Sequence, residues 1–157
     1  MGSFFMKTLP FLILSLFISL NSYAGVKEKK ALRAFTEKAQ SATEKIKIAC
    51  GNATLTSEVN IEKKYLATGI YIAELNLADF VAGMLMVCKD ADYKEEISKV
   101  QKLIFSATDN ANKTGKNKKI YGEIKVVGEV MQIVLHIKYS LSNGQSNLVA
   151  NAIKDLY

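Results

Sequence analysis

The sequence predicts an all-α protein, a small bundle of four to five helices closed by one disulfide. Three observations lead there. Apolar residues recur at helical spacing through most of the chain; the only proline, Pro10, lies near the amino terminus; and two cysteines, Cys50 and Cys88, stand at the ends of two helical stripes. Proline removes a backbone donor and clashes with the preceding turn, so its absence after Pro10 permits long helices. The alternative is an α+β domain with a β-hairpin in 120–141.

Met1–Ala24 reads as a secretory signal. Lys7 supplies the positive start, Leu9–Leu20 the apolar core, and Ser22-Tyr23-Ala24 the small-x-small pattern before a cut. That core is about 12 residues, short of the roughly 17–25 that a membrane-spanning helix needs. Cleavage after Ala24 is expected. Gly25 rather than cysteine follows it, so no lipid anchor is expected there. The remaining Gly25–Tyr157 is long enough for one globular helical domain with a single core.

Between Glu28 and Cys50, the apolar residues Leu32, Phe35, Ala39, Ala42, Ile46 and Ala49 step by 3,4,3,4,3, which lines one face of a helix. Gly51-Asn52 gives it a stop. Thr54, Thr56 or Ser57 is read as capping the next helix. Its stripe is Leu66, Ile70, Ala73, Leu77, Phe80, Met84 and Val87, widened by Tyr65, Ile72, Leu75, Val81, Leu85 and Cys88. A helix apolar over most of its circumference belongs at the centre of a fold. Gly69 leaves open whether it is one helix or two.

Asp92 is read as capping a third helix whose stripe is Ile97, Val100, Ile104 and Ala107. Asp109–Lys119 is the clearest loop, polar throughout. Residues 120–141 fit both patterns. Ile124, Val127, Met131, Val134 and Lys138 have helical spacing, and helix is the leading reading. Against it, eight residues from Ile120 to Ile137 are Val or Ile, and Met131, Ile133, Leu135, Ile137 and Tyr139 alternate as in a strand, with a turn near Gly128. Ser146 opens a last short helix with Leu148, Val149, Ile153 and Leu156 inward.

An exported chain with two cysteines is read first as carrying one structural disulfide, Cys50–Cys88. Closing a loop of about 39 residues stabilises by roughly 4 kcal/mol in the chain-entropy description. Bridging two helix carboxyl ends also constrains the path. Either the 51–60 link runs back along the bundle, or the chain reverses near Gly69.

Composition excludes several chemistries. Two cysteines 38 positions apart do not make a four-ligand zinc site, and no Cys-x-x-Cys is present. Asp90-x-Asp92 and Asn110-x-Asn112 both fail the calcium-loop pattern, so no metal or cofactor is expected. The one histidine, His136, lies in an apolar run and is read as structural. No Gly-x-Ser-x-Gly elbow accompanies it, and no enzyme activity is expected.

The formal charge of +6 loses Lys7 with the signal, and is too evenly mixed with acids to indicate nucleic acid. Lys113, Lys116, Lys118 and Lys119 form the best cationic group, a candidate contact for an anionic envelope surface. No aromatic residue interleaves them, as base stacking would need. Asn52-Ala53-Thr54 and Asn112-Lys113-Thr114 match the N-glycosylation acceptor pattern.

The expectation is therefore a periplasmic or secreted, non-enzymatic envelope protein that binds a protein partner, as an inhibitor or immunity-type protein does. The alternative is a periplasmic carrier of a small apolar or anionic lipid ligand, for which a cavity lined by Phe80, Met84 and Met131 would be the mark.

Overall fold

The computed structural model describes residues 9–109, 122–138 and 146–157. In chain order the elements are α1 (Leu9–Cys50), β1 (Thr56–Asn60), α2 (Lys63–Leu66), α3 (Ile70–Val87), α4 (Ala91–Ser98), β2 (Lys102–Thr108), β3 (Gly122–Val127), β4 (Val130–His136) and α5 (Ser146–Lys154). The four strands form one sheet in the order β1-β2-β4-β3. β1, β2 and β4 are parallel, and β3 is antiparallel to β4. The protein is thus a mixed α/β domain, and the all-α bundle is overturned. The α+β alternative is the one the structure supports.

Two misread segments account for that correction. In 120–141 the alternating pattern wins: Met131, Ile133 and Leu135 have no exposed surface, whereas Val127 of the helical stripe is 60% exposed. Gly128 takes φ +59° in the turn between β3 and β4, a backbone region that side-chain-bearing residues rarely adopt. The third helix stops at Ser98 rather than running on to Ala107. Leu103 and Phe105 are the fully buried residues of β2, and Ile104 points to the other face. A period of two therefore replaces the helical spacing that Ile97, Val100, Ile104 and Ala107 also satisfy.

Several local readings hold. Phe35, Ala39, Ala42 and Ile46 are buried along α1. Gly51 ends that helix at φ +69°, with the Asn52 N–H donating to the Lys47 carbonyl at 3.1 Å. This six-to-one bond closes a Schellman-type cap. Residues 67–69 separate α2 from α3. The first turn of α4 is capped by Asp90, not Asp92: its side chain accepts from the Asp92 N–H at 3.3 Å. Thr56 and Ser57 belong to β1 instead of capping a helix.

Cys50 and Cys88 are bridged, with Cα atoms 5.0 Å apart. Because the bridge joins two helix carboxyl ends, α1 and α3 run in the same direction. The ion pair Lys38–Glu74, about as far back along each helix, agrees. The 51–60 link does run back, and it does so as β1, which then pairs with β2.

α3 packs against α1 on one side and α5 on the other, with the sheet beneath it. The Phe80 ring meets Phe105 of β2 edge-on, at 5.9 Å between centroids. α5 runs alongside α3, with Val149 against Gly83 and the Lys154 ammonium 3.7 Å from Asp90.

Candidate functional site

Parallel pairing brings the carboxyl ends of β1, β2 and β4 to one edge of the sheet, where open α/β sheets commonly bind ligands. Polar side chains gather there. The Tyr65 hydroxyl donates to Asp109 Oδ1 at 3.1 Å, and Lys138 Nζ lies 3.6 Å from Asp109 Oδ2. The Tyr65 hydrogen bond first, then the Lys138 charge, holds the Asp109 carboxyl below the usual aspartate range. His136 is buried, its Nδ1 accepting from the Lys138 N–H at 3.1 Å. The amide of buried Asn76 donates to the His136 carbonyl at 2.8 Å.

These contacts tie α2, α3, β2 and the end of β4 together. Both the ring and the carbonyl of His136 accept hydrogen bonds within the chain. Sequence reasoning singled out His136 but missed Tyr65, Asp109 and Lys138. Their meeting depends on strand pairing that no local pattern reports. Lys113, Lys116, Lys118 and Lys119 lie outside the described residues, as do Asn112 and Thr114.

Asn52 is buried, and its amide donates to the carbonyls of Ile97 at 3.1 Å and Val100 at 2.6 Å. That nitrogen is committed to the core of the fold, which makes the Asn52 acceptor pattern unsuitable for glycan attachment. Phe80, Met84 and Met131 are all core residues with no exposed surface. Met86, two residues from Met84, is on the surface at 38% exposure.

Met86 belongs to the most unusual surface of the molecule. Tyr71, Leu75, Ala78, Ala82, Leu85 and Met86 fall on one side of α3, between its contacts with α1 and α5. Tyr71 is 67% exposed and Leu75 37%. No charged residue interrupts this arc. Acids occupy its margins only: Glu74 is paired with Lys38 of α1, and burial pushes the Asp79 carboxyl up. Helices of water-soluble folds normally turn charged residues outward, which makes this apolar outer arc a candidate contact surface. Among the described residues, α3 is also the one helix long and apolar enough to cross a membrane by length and composition. The sequence carried a signal for this arc, the great apolar width of the α3 stripe.

The sheet offers a second surface on the side away from the helices. Its register sets Lys102, Val130 and Val127 in one row, Ile104, Gln132 and Lys125 in the next, and Val134 beside Glu123 in a third. Sheets with parallel strands usually have both faces covered. Here the described helices cover one.

No family model, curated protein or solved structure matches the chain. The disulfide is compatible with an oxidising, exported location.

Proposed function

We propose that this is a non-enzymatic, exported protein of the envelope, periplasmic or secreted, that binds an apolar lipid with an anionic headgroup. The observation carrying this reading is the uncharged outer arc of α3, from Tyr71 to Met86. An aqueous compartment disfavours such a surface unless something apolar meets it. The interior is a poor place for the lipid, because Phe80 stacks edge-on against Phe105 and Met84 and Met131 are packed within the same core. The ligand contact therefore lies on the outside of α3. Net positive charge adds attraction for an anionic headgroup.

Native mass spectrometry of the protein isolated from its own envelope tests the reading. A copurifying anionic lipid, displaced by Leu75→Glu, supports it. Lipid-free protein that also fails to take up added phosphatidylglycerol refutes it.

A protein partner is the second reading, favoured by the sheet face that carries Ile104, Val130, Val134 and Val127. Pull-down with the wild-type chain and with Ile104→Glu separates the two. A protein lost with Ile104→Glu but kept with Leu75→Glu favours the partner reading.

A further inference from the structure

The α3 arc differs from a lipid-sized pocket in being long and convex. From Tyr71 to Met86 it extends along about 22 Å of helix, at 1.5 Å per residue. It contains no concave wall of its own; α1 and α5 pack on either side of α3, with α5 against its carboxyl half. Such a face suits contact with an extended surface better than enclosure of one molecule.

The charges beside the arc indicate which surface. Lys38 is tied to Glu74 of α3, so the line of α1 that includes Lys38 borders the arc. Lys45, 7 positions after Lys38, and Lys27, 11 before it, return to that same side of the helix; Lys45 lies beside the arc, and Lys27 lies about 16 Å back along α1 from Lys38, past the amino end of α3. All three are exposed. An apolar stripe bordered by lysines is the arrangement with which helices lie on an anionic bilayer. Tyr71, at the amino end of the arc, is an aromatic residue suited to the headgroup level. Glu74 is paired with Lys38, and at the other margin burial pushes the Asp79 carboxyl up.

We propose that the protein docks on an anionic phospholipid bilayer through the outer arc of α3, with Lys45 and Lys27 of α1 against the headgroups, Lys38 remaining on Glu74, and α3 parallel to the membrane plane. This rests on the lipid-binding reading and names the state of the lipid, a bilayer surface in place of a single carried molecule. The acyl region receives Leu75, Ala78, Ala82 and Met86. The sheet and its open face then point toward the aqueous compartment.

Vesicle co-sedimentation of the exported chain, its amino terminus fixed by mass spectrometry, tests the proposal. Phosphatidylcholine vesicles containing phosphatidylglycerol should bind it, and phosphatidylcholine alone should bind it far more weakly. Lys27→Gln/Lys45→Gln should lower binding to the anionic vesicles about 30-fold, since each lysine near such a surface contributes about a factor of five. Leu75→Glu/Met86→Glu should abolish it, and Val127→Glu on the opposite side should leave it unchanged. Circular dichroism reports folding of each variant, and Tyr71→Ser serves as a milder change at an exposed position if the double glutamate variant unfolds.

Binding that ignores the arc and lysine variants overturns the proposal, as it would if a retained leader drove association. Arc-dependent self-association without vesicle binding overturns it too, assigning the arc to a second copy. A parallel arm presents short-chain phosphatidylglycerol below its micelle concentration. If that monomeric lipid binds and vesicles do not, surface docking fails while lipid binding stands; if neither binds, both fail.

Discussion

Gly83 is the tightest point between α3 and α5, and replacing it with alanine sets two known effects against each other. Alanine in a helix interior is favoured over glycine by about 0.8–1.0 kcal/mol. A Cβ at Gly83, however, would stand 2.5 Å from Val149 Cγ1, 2.6 Å from Val149 Cβ and 3.0 Å from the backbone nitrogen of Ala150. Carbon atoms pack at about 3.5–4.0 Å, so α5 must withdraw by about 1 Å. Val149 is β-branched and stiff, and Ala150 meets the new atom with its backbone, so a rotamer change does not relieve the contact. Withdrawal loosens Val149, Ala150 and Ile153, the three buried residues of α5. Overpacking of this kind costs about 1–3 kcal/mol, and the backbone contact places it toward the upper end.

Gly83→Ala should therefore destabilise by about 1–2 kcal/mol net, lowering Tm by about 3–6 °C for a chain of this size. Urea denaturation followed by circular dichroism and tyrosine fluorescence gives the free energy. Val149→Ala makes room for the new methyl group, so the double variant should lose at least about 1 kcal/mol less than the sum of the single changes. A Gly83→Ala protein as stable as wild type, or additive single effects, would show that α5 is not held against α3 at this spacing.

Other positions give equally definite expectations. Cys50→Ser/Cys88→Ser should lose about 4 kcal/mol, the value for releasing a loop of about 39 residues, and an unchanged Tm in that double variant would refute the bridge. Asn52→Ala should cost about 1–3 kcal/mol by denaturant titration, because the Ile97 and Val100 carbonyls lose their buried donor; a change within error would mean water replaces the amide at no cost. Desolvation raises the Asp79 carboxyl above its usual value, so the folded chain holds its proton over an interval where the unfolded chain does not. The stability tied to that proton is full below the ordinary aspartate range and falls as pH rises through the raised value. Asp79→Asn should thus match wild type in acid and exceed it near neutrality, and parallel stability curves would contradict the desolvation.

What the sequence revealed and what it concealed divide along the range of the interactions. α1 was legible because Phe35, Ala39, Ala42 and Ile46 repeat at one period and Gly51 closes the helix. The bridge was legible from compartment and cysteine count. β1 was concealed because Thr56, Ser57, Glu58 and Asn60 are polar, and it becomes a strand only by pairing with residues 102–106, far along the chain. β2 was concealed by accidental helical spacing across the α4–β2 boundary. The disulfide did require either a return through 51–60 or a reversal near Gly69, and the structure takes the first route, as a strand that neither that constraint nor local propensity indicated. The Tyr65–Asp109–Lys138 contact had no comparable signal, since it forms only once β2 and β4 lie side by side.

The fold correction also explains the candidate surface. Cys50–Cys88 makes α1 and α3 parallel, and β1 supplies the return between them. With β1 leading into a sheet, the inner side of α3 is covered by strands, its flanks by α1 and α5. In a bundle of four or five helices, a helix formed by 120–141 would have been available to cover the outer side. That segment instead supplies β3 and β4, which extend the sheet on the inner side. Among the described residues, the strands Gly122–Val127 and Val130–His136 thus stand where the bundle reading had a helix that could have covered Tyr71, Leu75 and Met86. Among the described residues, this central helix with an apolar circumference has cover on three sides, and its fourth side is the one to which the proposed lipid docking is assigned, which is how the apolar width of α3 enters the functional reading as well as the packing.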